Sequence, residues 1–500
     1  MKDNCHPCGS FGEGNNLCNC VQIPTCHPFP VTPKPKVCSR CNNLVQNPSF
    51  ETDLSNWEIN NVTIHDSSPF EGTQVASLGN GIASMFQDVS LAKLDSCPLF
   101  LSFNAFAGSD NNFNGNLVVE VSWLDANHSI IANGLRMFIP SGRIDFTAKI
   151  TFFDITDRPP VGAAWARLQF SKGVGASPDF IVIDQVILAP ISSINLIQNP
   201  SFEAGLAHWT SNPTTSFVPD FILPFEGAAQ ALTSSNGVLS QDVPIYSLPA
   251  KSTFLLSFAV KSNGSSTLTI QVQWLNAADI PIGSGLNLSI PSATLQSQGN
   301  YLTYLDITDS APVGTAKARI IFAATILGTQ MYLEIDQIIF ARVATENLVI
   351  NPSFENGING WTPVNVILFS SNDVYEAATD ARVSVDGGSL VQDVLIPKAV
   401  GHCFLLNYGL GFRKTGSATD FGSMLVKVLW LDNSGNEIGL GLSIIGTSNP
   451  ATQGLLQWLV YTGITEPAPP GTVAARLQFT KSAGTNGVIE IDKVVLGRLV

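Results

Sequence analysis

A chain of 500 residues is too long for one hydrophobic core and suits three domains of about 150 residues each. Only 13% of its residues are charged, against a usual share of roughly 25%, and the net charge of −14 argues against nucleic acid as a partner. No window holds the long apolar run that a membrane span needs, and Met1-Lys2-Asp3-Asn4-Cys5 opens into polar, Cys-rich sequence without the apolar stretch of a secretory signal.

Residues 1–42 read as a Cys-rich, mostly irregular arm carrying Cys5, Cys8, Cys18, Cys20, Cys26, Cys38 and Cys41, with a Pro-rich piece from Pro28 to Pro35. So few apolar residues cannot order the segment by burial, so it requires cross-links, a metal or a partner. Cys5, Cys8, Cys38 and Cys41 have the paired Cys-x-x-Cys form of a zinc site. The odd number of thiols points the other way, to disulfides between subunits, since full oxidation leaves one sulfur for another chain. A reduced, flexible tail is the third reading.

From Asn43 onward the texture changes. Asn43-Leu44-Val45-Gln46-Asn47-Pro48-Ser49-Phe50-Glu51, followed by Trp57, recurs from Asn195 with Trp209 and from Asn347 with Trp361, each copy beginning 152 residues after the last. A repeat of domain length marks three copies of one domain, at 43–191, 192–343 and 344–500. Within each copy, short alternating runs such as Leu117–Trp123, Leu268–Trp274 and Met424–Trp430 are broken by Gly, Pro, Asn and Asp, the pattern of antiparallel strands in a sandwich. Phe50, Phe202 and Phe354 with Trp57, Trp209 and Trp361 are expected to close one end of each core, and Trp123, Trp274 and Trp430 to lie within it.

Further along come Gln87-Asp88-Val89, Gln241-Asp242-Val243 and Gln392-Asp393-Val394, then Ala166-Arg167, Ala318-Arg319 and Ala475-Arg476. Every copy closes with an Asp inside an apolar strand: Asp184, Asp336 and Asp492. The linkers, Ile191 to Ile194 and Val343 to Glu346, span only about 14 Å when extended, so the domains are expected to touch. Cys97 and Cys403 precede corresponding strands with an offset of one residue and are expected to be buried free thiols.

Together the opening motif, the Trp-Leu-Asp strand end, the Pro-Val-Gly turn with its Ala-Arg strand and the closing Ile-Asp-x-Val resemble carbohydrate-binding-module-like jelly rolls of families 4, 9 and 22, over residues 43 to 500. The resemblance implies an all-β chain of three tandem antiparallel jelly-roll β-sandwiches. It also implies one structural calcium (Ca2+) per copy, held by Glu51 with Asp184, Glu203 with Asp336, and Glu355 with Asp492. The second Asp of the family's closing motif is replaced here by Gln185, Gln337 and Lys493.

Sugar platforms need exposed aromatic rings, and only Trp165 and Trp458 fall outside repeated positions. The six histidines share no repeat position, so no catalytic apparatus is expected. Jelly rolls behind Cys-rich leaders resemble surface proteins of bacterial endospores, made in the mother-cell cytoplasm and released by lysis. This gives a first expectation of a non-enzymatic structural protein that self-assembles on the spore surface, in the exosporium or an appendage, joined to itself or to other spore-surface proteins by disulfides of the arm. The second expectation is a glycan-binding adhesin whose partner is a polysaccharide.

Overall fold

Alternation with period two puts one row of side chains into a core and the next outside it, and the strands obey it. A computed structural model describes residues 40–500 except 67–68, 95, 109–113, 145–147, 299, 414–420, 448–455 and 484–486; the arm thiols Cys5, Cys8, Cys18, Cys20, Cys26 and Cys38 lie outside the described residues. Ala83–Ser90 and Trp165–Lys172 alternate buried and half-buried positions throughout.

The first copy is built from two five-stranded antiparallel sheets. In spatial order the outer sheet runs Glu58–Asn60, Ala83–Ser90, Trp165–Lys172, Leu117–Leu124, Ile130–Ile139. The inner sheet runs Val62–His65, Val75–Leu78, Ile181–Pro190, Leu99–Ala107, Ile150–Ile155. Neighbours in space are mostly distant in sequence, the crossing connectivity of a jelly roll, and the second and third copies repeat both orders strand for strand. The expected all-β architecture is thus what the chain adopts, with one short helix, Ser292–Gln298, among the described residues.

Repeated residues explain how each copy sets. Asn43 accepts the amides of Val45 and Leu188 and donates to Val186 O, pinning the entering segment to the closing strand; Asn195 and Asn347 do the same. Asn47 organises the following turn, and the Trp57 indole donates to its carbonyl at 3.2 Å. Phe50 and Trp57 then close the core with ring centroids 5.5 Å apart, as Phe202 with Trp209 and Phe354 with Trp361 do.

The central strands of the inner sheets are buried on both faces: Leu99–Ala107 and Ile181–Pro190 are buried at every position. What covers the second face is the other two copies. Phe152 stacks on Phe225 of the second copy at 4.6 Å, Tyr304 on Tyr375 of the third at 4.4 Å, and Tyr461 on Phe70 of the first at 4.2 Å. Beside each stack runs one backbone hydrogen bond, Gly227 N to Phe138 O, Ala377 N to Ser289 O and Gly72 N to Ile445 O. The same two unlike surfaces therefore meet three times, and the third contact returns to the first copy: a head-to-tail arrangement that closes. Strands Ile150–Ile155, Leu302–Ile307 and Leu456–Ile464 touch one another pairwise at the centre.

A bulge aims one polar side chain across each interface. The closing strand changes register against its neighbour at Asp184/Ile187, with matching shifts at Ser257/Ala259 and Asn407/Gly409. Gln185, Gln337 and Lys493 sit there at φ of 49°, 47° and 50°, and such a bulge turns a side chain out of the pleat. Gln185 accepts the Thr462 amide at 3.5 Å, Gln337 faces Asp154, and Lys493 Nζ lies 2.6 Å from Asp306 Oδ2.

Cysteine pairing departs from expectation. Cys41, expected to reach another subunit, is bonded to Cys403 of the third copy, Cα atoms 5.4 Å apart. Cys97 is also disulfide-bonded, so neither Cys97 nor Cys403 is a free thiol. Ring closure is the physical reason, for it brings the residue just ahead of Asn43 beside the third copy. It also removes Cys41 from the four-thiolate zinc set.

Candidate functional site

Two of the outer sheets carry concavities at equivalent places. The first, about 470 Å³, is lined by Gln46, Asn56, Glu58, Gln87, Asp88 and Arg167, with Phe86 and His128. The second, about 610 Å³, is lined by Gln198, His208, Thr210, Gln241, Asp242 and Arg319, with Asn212 and Gln273 among its rim residues.

Strand pairing builds the floor. Arg167 stands opposite Asp88, Arg319 opposite Asp242 and Arg476 opposite Asp393. Each pair is a bidentate fork, with N···O distances of 2.7 and 2.9 Å, 2.6 and 2.8 Å, and 2.7 and 2.8 Å. The neighbouring glutamine imitates a strand: Gln87 accepts the Gln46 amide at 2.7 Å and donates to its carbonyl at 3.0 Å, and Gln241 and Gln392 repeat this on Gln198 and Ile350. The rims differ. Asn56, Glu58 and Phe86 correspond to His208, Thr210 and Ser240, and to Gly360, Thr362 and Val391.

Electrostatics favour the ionised form of two of these carboxylates, Asp88 and Asp242. Burial pushes the Asp88 carboxyl up, but hydrogen bonds and charge from Arg167 and His128 outweigh it and hold the group below its ordinary value. The Arg319 hydrogen bonds hold Asp242 down, against burial. A carboxyl held down accepts hydrogen bonds well and serves poorly as the proton donor that glycoside cleavage requires.

The six carboxylates assigned to calcium lie elsewhere, three on the closing strands and three in the opening motifs, gathered around the loop that enters the ring interface. Glu51 accepts the amides of Thr73 and Gln74 at 2.8 Å and the Thr73 hydroxyl at 2.6 Å, while Glu203 and Glu355 accept the amides of Ala228, Ala229, Ala378 and Thr379. Asp184 accepts Phe70, Glu71 and Gln185 amides; Asp336 and Asp492 accept those of Glu226, Gln337, Glu376 and Lys493. Calcium needs six to eight oxygen donors, whereas these oxygens face N–H groups. No group of three His, Cys, Asp or Glu suited to a metal occurs among the described residues. The donor set does not fit calcium; it caps the loops that carry Phe70, Phe225 and Tyr375.

The two tryptophans part company. Trp458 is 1% exposed, donates to Asp373 O and touches Tyr375, so it is core and the platform assignment fails for it. Trp165 is half-buried and stacks on His128 at 4.7 Å, placing it beside the first groove. Sequence reasoning missed the grooves themselves. Their signal was an Asp and an Arg recurring together three times in a chain poor in charge.

No protein-family model matches this sequence, and no curated protein matches it. Similar solved structures include the enzymatically active domain of Bacteriophage CBA120 tailspike protein 4, 22% identical, with 30% of this chain and 21% of that one covered and a TM-score of 0.23. This chain thus spans about a fifth of the tailspike's length. The tandem CBM22-1-CBM22-2 domain from Paenibacillus barcinonensis Xyn10C is 11% identical over 62% of this chain and 98% of that one, TM-score 0.24. TmCBM61 in complex with β-1,4-galactotriose is 14% identical over 30% and 99%, TM-score 0.23. By its own topology this chain is a three-copy jelly-roll protein closed on itself.

Proposed function

We propose that the chain is a non-catalytic, multivalent polysaccharide-binding protein whose outer-sheet grooves take neutral sugar chains. The observation that carries this reading is one polar floor, Gln-Asp-Arg, recurring under differently furnished rims on separate faces of one rigid ring. Sugar hydroxyls need planar, fixed hydrogen-bonding groups and a ring or apolar edge to lie on. Asp88 with Arg167 supplies the first, and Phe86 with the His128–Trp165 stack the second. Grooves on one body bind a long polymer together, and avidity exceeds single-site affinity.

The test is retardation of the full chain in native gels containing soluble xylan, β-1,4-galactan or mixed-linkage glucan. Retardation by one of them is expected, weakened about tenfold or more by Phe86→Ala with His128→Ala in the first groove or by His208→Ala with Gln273→Ala in the second. Unretarded migration in every gel would sink the reading.

A second reading is favoured by ring closure and low surface charge: the ring serves as a building block of a spore-surface layer or appendage, linked by the arm thiols other than Cys41. A closed ring offers no free jelly-roll interface for growth, so assembly would fall to residues 1–39. Reductant-sensitive assemblies that vanish when Cys5, Cys8, Cys18 and Cys20 are changed to Ser would support it; assemblies indifferent to those changes would not.

A further inference from the structure

Of the three equivalent interface positions, one holds an amine facing an acid. Gln185 faces Thr462 and Gln337 faces Asp154, but Lys493 of the third copy faces Asp306 of the second, Nζ to Oδ2 2.6 Å. A second acid attends this pair: Glu376 Oε2 lies 3.9 Å from the same Nζ. The side chains of Lys493, Asp306 and Glu376 are 8%, 4% and 7% exposed, beneath the Tyr304–Tyr375 stack. Asp306 Oδ1 accepts the Ile307 amide at 2.7 Å, and Glu376 Oε1 accepts the Ser289 amide at 3.2 Å, so both carboxyls are oriented.

We propose that Lys493 and Asp306 condense to an amide, covalently joining the third jelly roll to the second. Burial disfavours both charged forms, while the Asp306 and Glu376 carboxylates hold the Lys493 ammonium above its ordinary value; the reacting species is the neutral amine and neutral acid reached when the proton passes from Nζ to Oδ2 across their contact. The amine nitrogen attacks Cγ of Asp306. Oδ1 takes the developing negative charge, opposite the Ile307 N–H. Glu376 takes the second proton from nitrogen and delivers it to the Oδ2 hydroxyl. The Cγ–Oδ2 bond breaks, the Cγ–Nζ bond remains, and one water leaves. Ammonium plus carboxylate become amide plus water, so no oxidant or co-reactant is needed. Fixed geometry in the folded ring supplies the effective concentration that free lysine and aspartate lack.

The chain carries its own controls. Carboxamide nitrogens at Gln185 and Gln337 are not nucleophiles. Another buried lysine–aspartate pair among the described residues, Lys172 with Asp179 at 2.6 Å, has its ammonium also bound by the carbonyls of Gly81 and Gly173.

The experiment is intact mass spectrometry of the full chain, reduced and denatured, followed by tryptic mapping. The expected result is a mass one water below that of the sequence and a branched peptide joining Lys493 to Asp306. Lys493→Arg keeps the charge but cannot form the amide, and it is expected to restore the full mass with unchanged far-ultraviolet circular dichroism, as is Glu376→Gln. A wild-type chain of full mass, tryptic cleavage after Lys493, or a missing water that maps to Lys172 and Asp179 would each overturn the assignment. Loss of water persisting in Glu376→Gln would overturn the role given to that residue.

Discussion

A β-carbon added at Gly441 would lie 2.7 Å from the Trp430 ring, and one at Gly134 2.5 Å from the Trp123 ring; Gly285 stands in the same relation to Trp274. These glycines are there because the indole lies flat across the neighbouring strand and leaves no room for a methyl group. Overpacking of this kind costs about 1–3 kcal/mol. Gly441→Ala is therefore expected to lower the thermal midpoint measurably, while alanine at Gly435, where the added carbon meets no atom within 4 Å but φ is +81°, is expected to cost only backbone strain of about 1 kcal/mol. Equal midpoints for wild type and Gly441→Ala would contradict the packing described. At this scale the repeats made much legible: Phe50, Trp57 and Trp123 are core in every copy, as alternation and recurrence required. Trp458 misled because its equivalents, Lys149 and Tyr301, are not tryptophan. What those three residues share is a place at the start of the strand that meets the ring centre, which a search for recurring residue types does not register.

Among the strands, Ile150–Ile155 brings Asp154 to the interface between the first two copies, where the facing Gln337 side chain supplies no charge. Burial pushes the Asp154 carboxyl up to about 8, with further repulsion from Glu226; burial likewise raises Glu226 to about 7, with repulsion from Glu203. Asp336, buried and facing Glu226, is also held well above its ordinary value. Both Asp154 and Glu226 bind protons more tightly folded than unfolded. Their stabilisation is full below about pH 4 and is lost as pH rises through about 7 to 8, by up to several kcal/mol. Asp154→Asn keeps the shape and removes the ionisation, so denaturant titrations of this variant between pH 5 and 9 are expected to give a flatter stability profile than wild type. Parallel profiles would show that Asp154 does not titrate in that range. The closing-strand bulge accounts for Gln185, Gln337 and Lys493 at the position where the resemblance implied a second Asp. Gln185, Gln337 and Lys493 are placed for the neighbouring copy rather than for a metal, a role that only the assembled ring reveals.

For the molecule as a whole, ring closure was the part least written in the sequence. Phe152, Tyr304 and Tyr461 look like ordinary members of apolar strands, and their partners Phe225, Tyr375 and Phe70 lie far along the chain, so nothing local separates an interface residue from a core one. The consequence is a continuous apolar cluster that takes in Phe100 and Ile187 of the first copy, Phe254 and Tyr304 of the second, and Trp458 and Leu499 of the third. Domains sharing such a core do not melt separately, because losing one exposes the inner sheets of the other two. Calorimetry of the reduced full chain is expected to give a single transition whose van't Hoff and calorimetric enthalpies agree; three resolved transitions would mean beads on a string. Cys41–Cys403 adds a bond that spans 362 residues and ties the start of the first copy to the third. Constraining so long a loop in the unfolded chain stabilises the folded ring by up to about 5 kcal/mol. Cys403→Ser is accordingly expected to lower the midpoint of the oxidised protein while keeping one transition, since the aromatic stacks and not the disulfide make the three copies one cooperative body. A variant that splits into separate transitions would place that cooperativity in the disulfide instead.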